Sequence, residues 1–256
     1  ATVKIVQVDI CADELGKNGG DPALSLLGDV GATVQQILTH LGGWQWQGQK
    51  SIFLQNLDAA QTNNKKKAAK KAAVVKSPMM FEQAFDIIKS TLDGLSVPED
   101  GDIVYVSEGA NAMDISRSIF TMEHPRTRLD AGTYATMGVG LGYAAYAAYN
   151  FPRPEGVAGK AERKKIVCIE GDSAFGFSGM EVETMARYDM DVLIFIMNNN
   201  GLYRGDTYSA EQYDQRRKNT IAGSTTEGKG LTAWSLGYQT YYHKIAEMTG
   251  GIGLEA

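Results

Sequence analysis

Long apolar runs are missing from this chain of 256 residues. No segment approaches the roughly 20 consecutive apolar residues that cross a bilayer as a helix, and the first residues do not form a secretory signal, so no membrane partner is expected. Cysteine is scarce as well. Cys11 and Cys168 stand on or beside predicted strands without metal-ligand spacing, which excludes a zinc motif and leads us to expect two buried thiols in a reducing, intracellular compartment. Positive charge is not in excess: 25 Lys and Arg against 30 Asp and Glu leave a net charge of −5, which offers no general attraction to nucleic acid or anionic lipid. An initiating methionine is also absent, and the chain opens as if inside a strand, the pattern of a piece of a longer protein.

What is present is the composition of a folded α/β chain, 43% hydrophobic and long enough for one large or two ordinary cores. Residues 166–203 are the most informative stretch. The apolar run from Ile166 to Ile169 ends in an acid and a glycine, as a buried parallel strand does where it leaves its sheet. Met180, Val182, Met185 and Ala186 then recur at helical spacing, and a second apolar run, Val192 to Met197, stops at three asparagines and Gly201. This is a strand, a crossover helix and a strand, whose two strand ends open on one edge of the sheet. Asp172 and the asparagines are therefore expected to converge. One carboxylate, one amide oxygen and a backbone carbonyl at a glycine are hard donors that suit magnesium, which takes few protein ligands and completes its octahedron from diphosphate oxygens and water. The glycine-rich turn 171–176 adds N–H groups at a helix start, where an anion is favoured. A magnesium-bound diphosphate is the expected ligand.

Around this stretch, residues 2–10 and 23–27 read as strands, the first with Asp9 near its carboxyl end, and a helix over about 32–41 puts Val34, Ile37, Leu38 and Leu41 on one face. Over residues 43–77 the pattern dissolves. Trp44 and Trp46 anchor a connection, and the lysine-rich tract 63–73, lacking an apolar face, reads as a solvated linker or a phosphate-binding patch. A helix from 78 to 95 follows, with Phe81, Ala84, Phe85, Ile88 and Leu92 on one face. Next come a strand over 102–107 ending in Glu108-Gly109-Ala110-Asn111, a loop from His124 to Asp130, and an Ala- and Gly-rich helix over 141–149. Residues 151–163 read as a surface loop, 204–230 as a mobile loop and 242–248 as a helix. The expected fold class is α/β, a doubly wound, mostly parallel sheet with helices on both faces, preceded by the tail of a Rossmann-like domain. On residues alone, Asp9 is equally an exposed acid at a strand end, the 108–111 stretch a turn without a ligand, and Met137 ordinary core packing.

The wording GDSAFGFSGMEVET followed by MNNNGLYRGD resembles the thiamin-diphosphate-dependent family of 2-hydroxyacyl-CoA lyases and oxalyl-CoA decarboxylases, with Ser173 where most such enzymes carry a second glycine. The resemblance implies thiamin diphosphate and Mg2+ as cofactors, with the metal on Asp172, Asn199 and the Gly201 carbonyl. It implies Gly171, Ser173, Ala174, Leu202 and Tyr203 around the phosphates, with Ala110 and Asn111 also at the cofactor. Met137 matches the apolar wedge that bends the cofactor, and the carbonyl of Ala135, where the family usually has glycine, matches the acceptor for the aminopyrimidine amine. Asp9 and Ile10 match the place where the central domain holds a ribose and adenine. By the same resemblance, residues 1–42 are the end of that central domain, 43–77 a linker, and 78–256 a truncated thiamin-diphosphate/Mg-binding domain.

An acyl-CoA substrate and a homodimer or homotetramer are also implied. The proton-relay glutamate then comes from the pyrimidine-binding domain of a partner subunit, so no catalytic acid or base is assigned in this chain. The implied reaction cleaves a 2-hydroxyacyl-CoA to formyl-CoA and a shortened aldehyde. The wording RLDAGTYATMGVGLG and the third asparagine, Asn200, lean to the lyase over the decarboxylase. A non-catalytic cofactor-binding or assembly subunit is the alternative of another class. Residence would be peroxisomal in a eukaryote and cytoplasmic otherwise.

Overall fold

The computed structural model describes residues 4–17, 20–151, 164–223 and 228–256, and the chain divides into two compact units, 1–60 and 61–256. In the first unit, β1 (Gln7–Asp9) and β2 (Ser25–Leu27) pair in parallel with Val8 opposite Leu26. These strands are shorter than the apolar runs suggested, and residues 2 and 3 lie outside the described residues. Asp9 ends β1 by accepting the Cys11 N–H at 2.8 Å, which turns the chain outward. Cys11, expected to be buried, is consequently exposed. Helix α1 (Val30–His40) starts where Asp29 accepts the Ala32 N–H at 2.8 Å, an N-cap that replaces one missing intrahelical partner.

The lysine-rich tract, read as solvated, is helical. It belongs to α2 (Ile52–Ala72), a 21-residue helix without a buried residue. Alanine, lysine and glutamine favour helix without needing a core to pack on, so a missing apolar stripe signals exposure rather than loss of structure.

In the second unit, which takes in the later part of α2, the next helix is α3 (Phe81–Leu95), whose Phe85 and Leu92 are buried. Then follow β3 (Ile103–Ser107), α4 (Ala110–Ile119), β4 (Arg128–Asp130), α5 (Gly140–Asn150), β5 (Lys165–Gly171), α6 (Asp172–Ser178), α7 (Glu181–Arg187), β6 (Val192–Met197), α8 (Ala210–Ile221) and α9 (His243–Thr249). The four strands form one parallel sheet in the order β4-β3-β5-β6. β4 lies inside the stretch read as a loop. It is only three residues long and carries Arg and Asp, which hid it, but its backbone pairs with Tyr105 to Ser107. The surface-loop reading of 152–163 falls outside the described residues.

Alternation along the strands sends side chains to opposite faces. Ile166 and Cys168 of β5 pack with α5, α6 and α7 through Leu141, Ala144, Phe175, Val182 and Met185. Val167 and Ile169 pack on the other face with Phe85, Ala112, Ile119 and Phe120. The small residues of α5 let its backbone approach the sheet, and Ala144 and Ala147 are fully buried. Because β3 leads outward to β4 whereas β5 leads the other way to β6, the winding reverses between β3 and β5. At such a point the carboxyl ends of the strands splay and leave a crevice.

Candidate functional site

The crevice is real and the expected residues line it. β3 is followed by Gly109, whose φ of +87° turns the chain into α4, bringing Ala110 and Asn111 to the edge. A side chain on Gly109 would put its Cβ 3.0 Å from the Gly171 nitrogen, so glycine is required where these two strand exits touch. β5 delivers Gly171, Asp172, Ser173 and Ala174. In place of the expected glycine-rich turn, these lead at once into helix α6, where the Asp172 carboxylate accepts the Ser173 N–H at 2.8 Å. The turn after β6 contributes Asn199, Gly201, Leu202 and Tyr203, and the segment after β4 contributes Ala135 and Met137. All of these residues line one cavity of about 290 Å³.

Asp172, 2% exposed, is the charged group at its floor. Its carboxylate accepts the Gly201 N–H at 3.0 Å, so the loops after β5 and β6 are tied together as the strand-helix-strand reading required. Burial pushes its carboxyl up, against the backbone N–H groups of Ser173, Gly201, Asn199 and Asn200. The Asn199 side chain donates to the Tyr203 carbonyl at 2.6 Å, whereas its oxygen is buried without a hydrogen-bond partner. An orphaned acceptor beside a buried carboxylate is costly unless a donor or a cation meets both. Residues 201 and 235 form a short antiparallel bridge through Leu202 N–H to the Trp234 carbonyl at 3.0 Å and Leu236 N–H to the Asn200 carbonyl at 3.1 Å. Neither bond uses the carbonyl of Gly201. Asn111 also donates to the Tyr203 carbonyl, at 2.9 Å, joining the exits of β3 and β6.

Three residues here hold left-handed backbone without being glycine: Ala135 (φ +50°), Asn200 (φ +66°) and Tyr203 (φ +55°). Such strain concentrates at sites that the surrounding structure fixes. The cavity also takes Phe81, Gly109, Met113, Thr136 and Met197, which the sequence reading did not assign. Met197 was legible as the last residue of a strand aimed at the site, but Phe81 read only as part of a helix's apolar face, and Met113 carried no signal.

Behind the cavity stand two fully buried acids, Glu108 and Glu170. Burial raises Glu108 despite N–H groups from Gly140, Gly138 and Val139. Burial and then the charge of Glu108 push Glu170 up to about 8. Arg128 of β4 is structural: it donates to the Phe120 carbonyl at 2.9 Å and to Ser107 and Ser116 at 3.0 Å. Asp9 and Ile10 belong to the first unit, where Ile10 is exposed and one Asp9 oxygen serves its own turn.

Comparison with known proteins bears on the same residues. The family described as thiamine pyrophosphate enzyme, C-terminal TPP binding domain, matches residues 108–254. The chain is 42% identical over 204 residues to 2-hydroxyacyl-CoA lyase 1 of Homo sapiens, covering 79% of this chain and 33% of the relative. It is 34% identical over 252 residues to 2-hydroxyacyl-CoA lyase of Arabidopsis thaliana, 98% and 40% of the two chains. With oxalyl-CoA decarboxylase of Escherichia coli K12 it shares 36% over 206 residues, 80% and 33%. The chain thus spans about a third of the length of the curated relatives it matches. With a doubly wound parallel sheet, a cavity at its switch point and this match across the second unit, the chain belongs to the thiamine pyrophosphate enzymes and carries their C-terminal thiamine-pyrophosphate-binding domain.

Proposed function

We propose that the full-length protein is a thiamin-diphosphate-dependent carbon–carbon lyase that cleaves a 2-hydroxyacyl-CoA to formyl-CoA and an aldehyde one carbon shorter. The observation that carries the cofactor assignment is the buried, unpartnered oxygen of Asn199 in the loop whose Gly201 N–H is held by Asp172. Asp172, the Asn199 oxygen and the Gly201 carbonyl would hold Mg2+, whose charge reverses the cost of burying the carboxylate. Gly171, Ser173, Ala174, Leu202 and Tyr203 surround the diphosphate, and α4, with Ala110 and Asn111 in its first turn and no side-chain cap, turns free N–H groups to the anion. Met137 would stand against the rings, and the Ala135 carbonyl would accept the aminopyrimidine amine.

When bound, the cofactor supplies a nucleophilic carbon and an electron sink for breaking a bond next to a carbonyl. This chain orients it and shields it from water. The acid–base relay belongs to the pyrimidine-binding domain of a partner subunit in a homodimer or homotetramer, and no residue here takes that role. Asp9 and Ile10 would meet the nucleotide of coenzyme A. Peroxisomal residence accompanies this reading if the source is eukaryotic.

The lyase reaction is supported by relatives of that name at 42% and 34% identity, and the 36% match to oxalyl-CoA decarboxylase supports decarboxylation as the second reading. Formyl-CoA production by the full-length protein, measured with a 2-hydroxyacyl-CoA and with oxalyl-CoA, decides between them. Aldehyde appearing with the first thioester and little carbon dioxide with the second is expected. Turnover of oxalyl-CoA alone would select the decarboxylase, and turnover of neither by a cofactor-loaded protein would leave a non-catalytic binding subunit.

A further inference from the structure

Glu108 does not line the cavity, yet both of its carboxylate oxygens are committed to backbone that does the cavity's work. They accept the N–H groups of Gly138 and Gly140, about thirty residues further along the chain. Gly140 opens α5, so its bond alone would cap that helix. The second bond lies outside the helix and restrains Gly138, the neighbour of Met137. Both glycines are pinned from behind. Gly138 has φ +90°, and a Cβ there would sit 2.9 Å from the Cβ of Phe177. A Cβ on Gly140 would lie 2.8 Å from the Cβ of Glu108 and 2.1 Å from Oε1 of Glu170, so the two acids close around the same point. Glu170 is itself held by the Cys168 thiol at 3.3 Å. A buried carboxylate forked onto two backbone donors fixes both their distance and their plane.

We propose that Glu108 is a positioning residue. From the rigid end of β3 it sets the backbone of residues 135–138, and so the height at which the Met137 side chain and the Ala135 carbonyl stand in the cavity. The proposal rests on reading that cavity as the thiamin diphosphate site. It assigns to a buried acid a role in placing the rings of the cofactor rather than its diphosphate.

The test uses the full-length protein with Mg2+ and two ligands, thiamin diphosphate and inorganic pyrophosphate, measured by equilibrium binding. Glu108→Gln keeps the size but offers one acceptor instead of two. It is expected to weaken thiamin diphosphate about tenfold while changing pyrophosphate affinity by less than about threefold. Met137→Ala should add little to the loss when combined with Glu108→Gln, because both remove the same placement. A merely structural role would move both ligands alike. Equal losses for the two ligands, or fully additive effects in the double variant, would overturn the proposal. Should Glu108→Gln fail to fold, Glu108→Asp, which keeps the charge but shortens the reach, enters the same cycle with the same criteria. Asp172→Ala separates this question from the broader one. If it leaves both affinities unchanged, the cofactor reading falls and takes the proposal with it, whereas Asp172-dependent binding with equal losses at Glu108 overturns the proposal alone.

Discussion

Ala135 holds a conformation that an L-residue resists. At φ +50° its Cβ crowds the backbone, at a cost of roughly 1–2 kcal/mol that glycine avoids. Ala135→Gly is therefore expected to raise stability by about 1 kcal/mol in chemical denaturation, after part of the gain is lost to the freer unfolded chain. Thiamin diphosphate affinity should stay unchanged, since the proposed acceptor is a carbonyl. Asp172 and Asn199 were legible in the sequence because their side-chain chemistry is the signal. Glu108 was not: its partners are two peptide N–H groups, which no letter records, and an acid at a strand exit reads as polar punctuation.

Helix α8 shows where element-level reading failed and why. Residues 204–230 were expected to be a mobile loop because no apolar stripe runs through them, and α8 indeed buries nothing. The overlooked signal is the capping pair: Ser209 accepts the Gln212 N–H at 3.2 Å, and the Gln212 side chain accepts the Tyr208 N–H at 2.9 Å. The helix is then fastened by Asp206, which accepts from Arg216, Thr232 and Ser235, each at 2.7 Å. Through Ser235 this knot reaches the bridge at Gly201.

Burial pushes the Asp206 carboxyl up, but hydrogen bonds from Ser235 and Thr232 and the charge of Arg216 outweigh it, leaving it below its ordinary value of 3.8. The unfolded chain therefore binds the proton first. The stabilisation from Asp206 is full above pH 3.8 and is lost as pH falls through the lower folded value. Asp206→Asn should cost about 1–3 kcal/mol at neutral pH, with the gap from wild type narrowing in unfolding titrations below pH 4. Amide exchange over residues 201–206 and 232–236 should quicken in the variant.

Across the whole second unit, one sheet separates two packed faces, and the face carrying α3 depends on a few large rings. Phe85 is fully buried and meets Phe81 and Phe120 edge-on, with centroids 5.8 Å apart in both pairs. Phe85→Ala is expected to destabilise the unit by about 3–5 kcal/mol in denaturant titration. The interior strand β5 was legible because a strand buried on both sides is written as an unbroken apolar run, and the apolar run of β6, at the other edge, was bounded correctly at Val192 and Met197. The edge strand β4, with Arg128 and Asp130, carries no such run and emerges only from its pairing. Register has a further consequence for the site. Gly171 pairs with Met197, so Asp172 and Asn199 leave from adjacent strands just past a matched rung. The gap between them is gauged by the spacing of neighbouring strands, about 4.8 Å, as the jaws of a caliper are set by its frame. The separation of these two exits is in this sense inherited from the main chain, and the side chains only build on it.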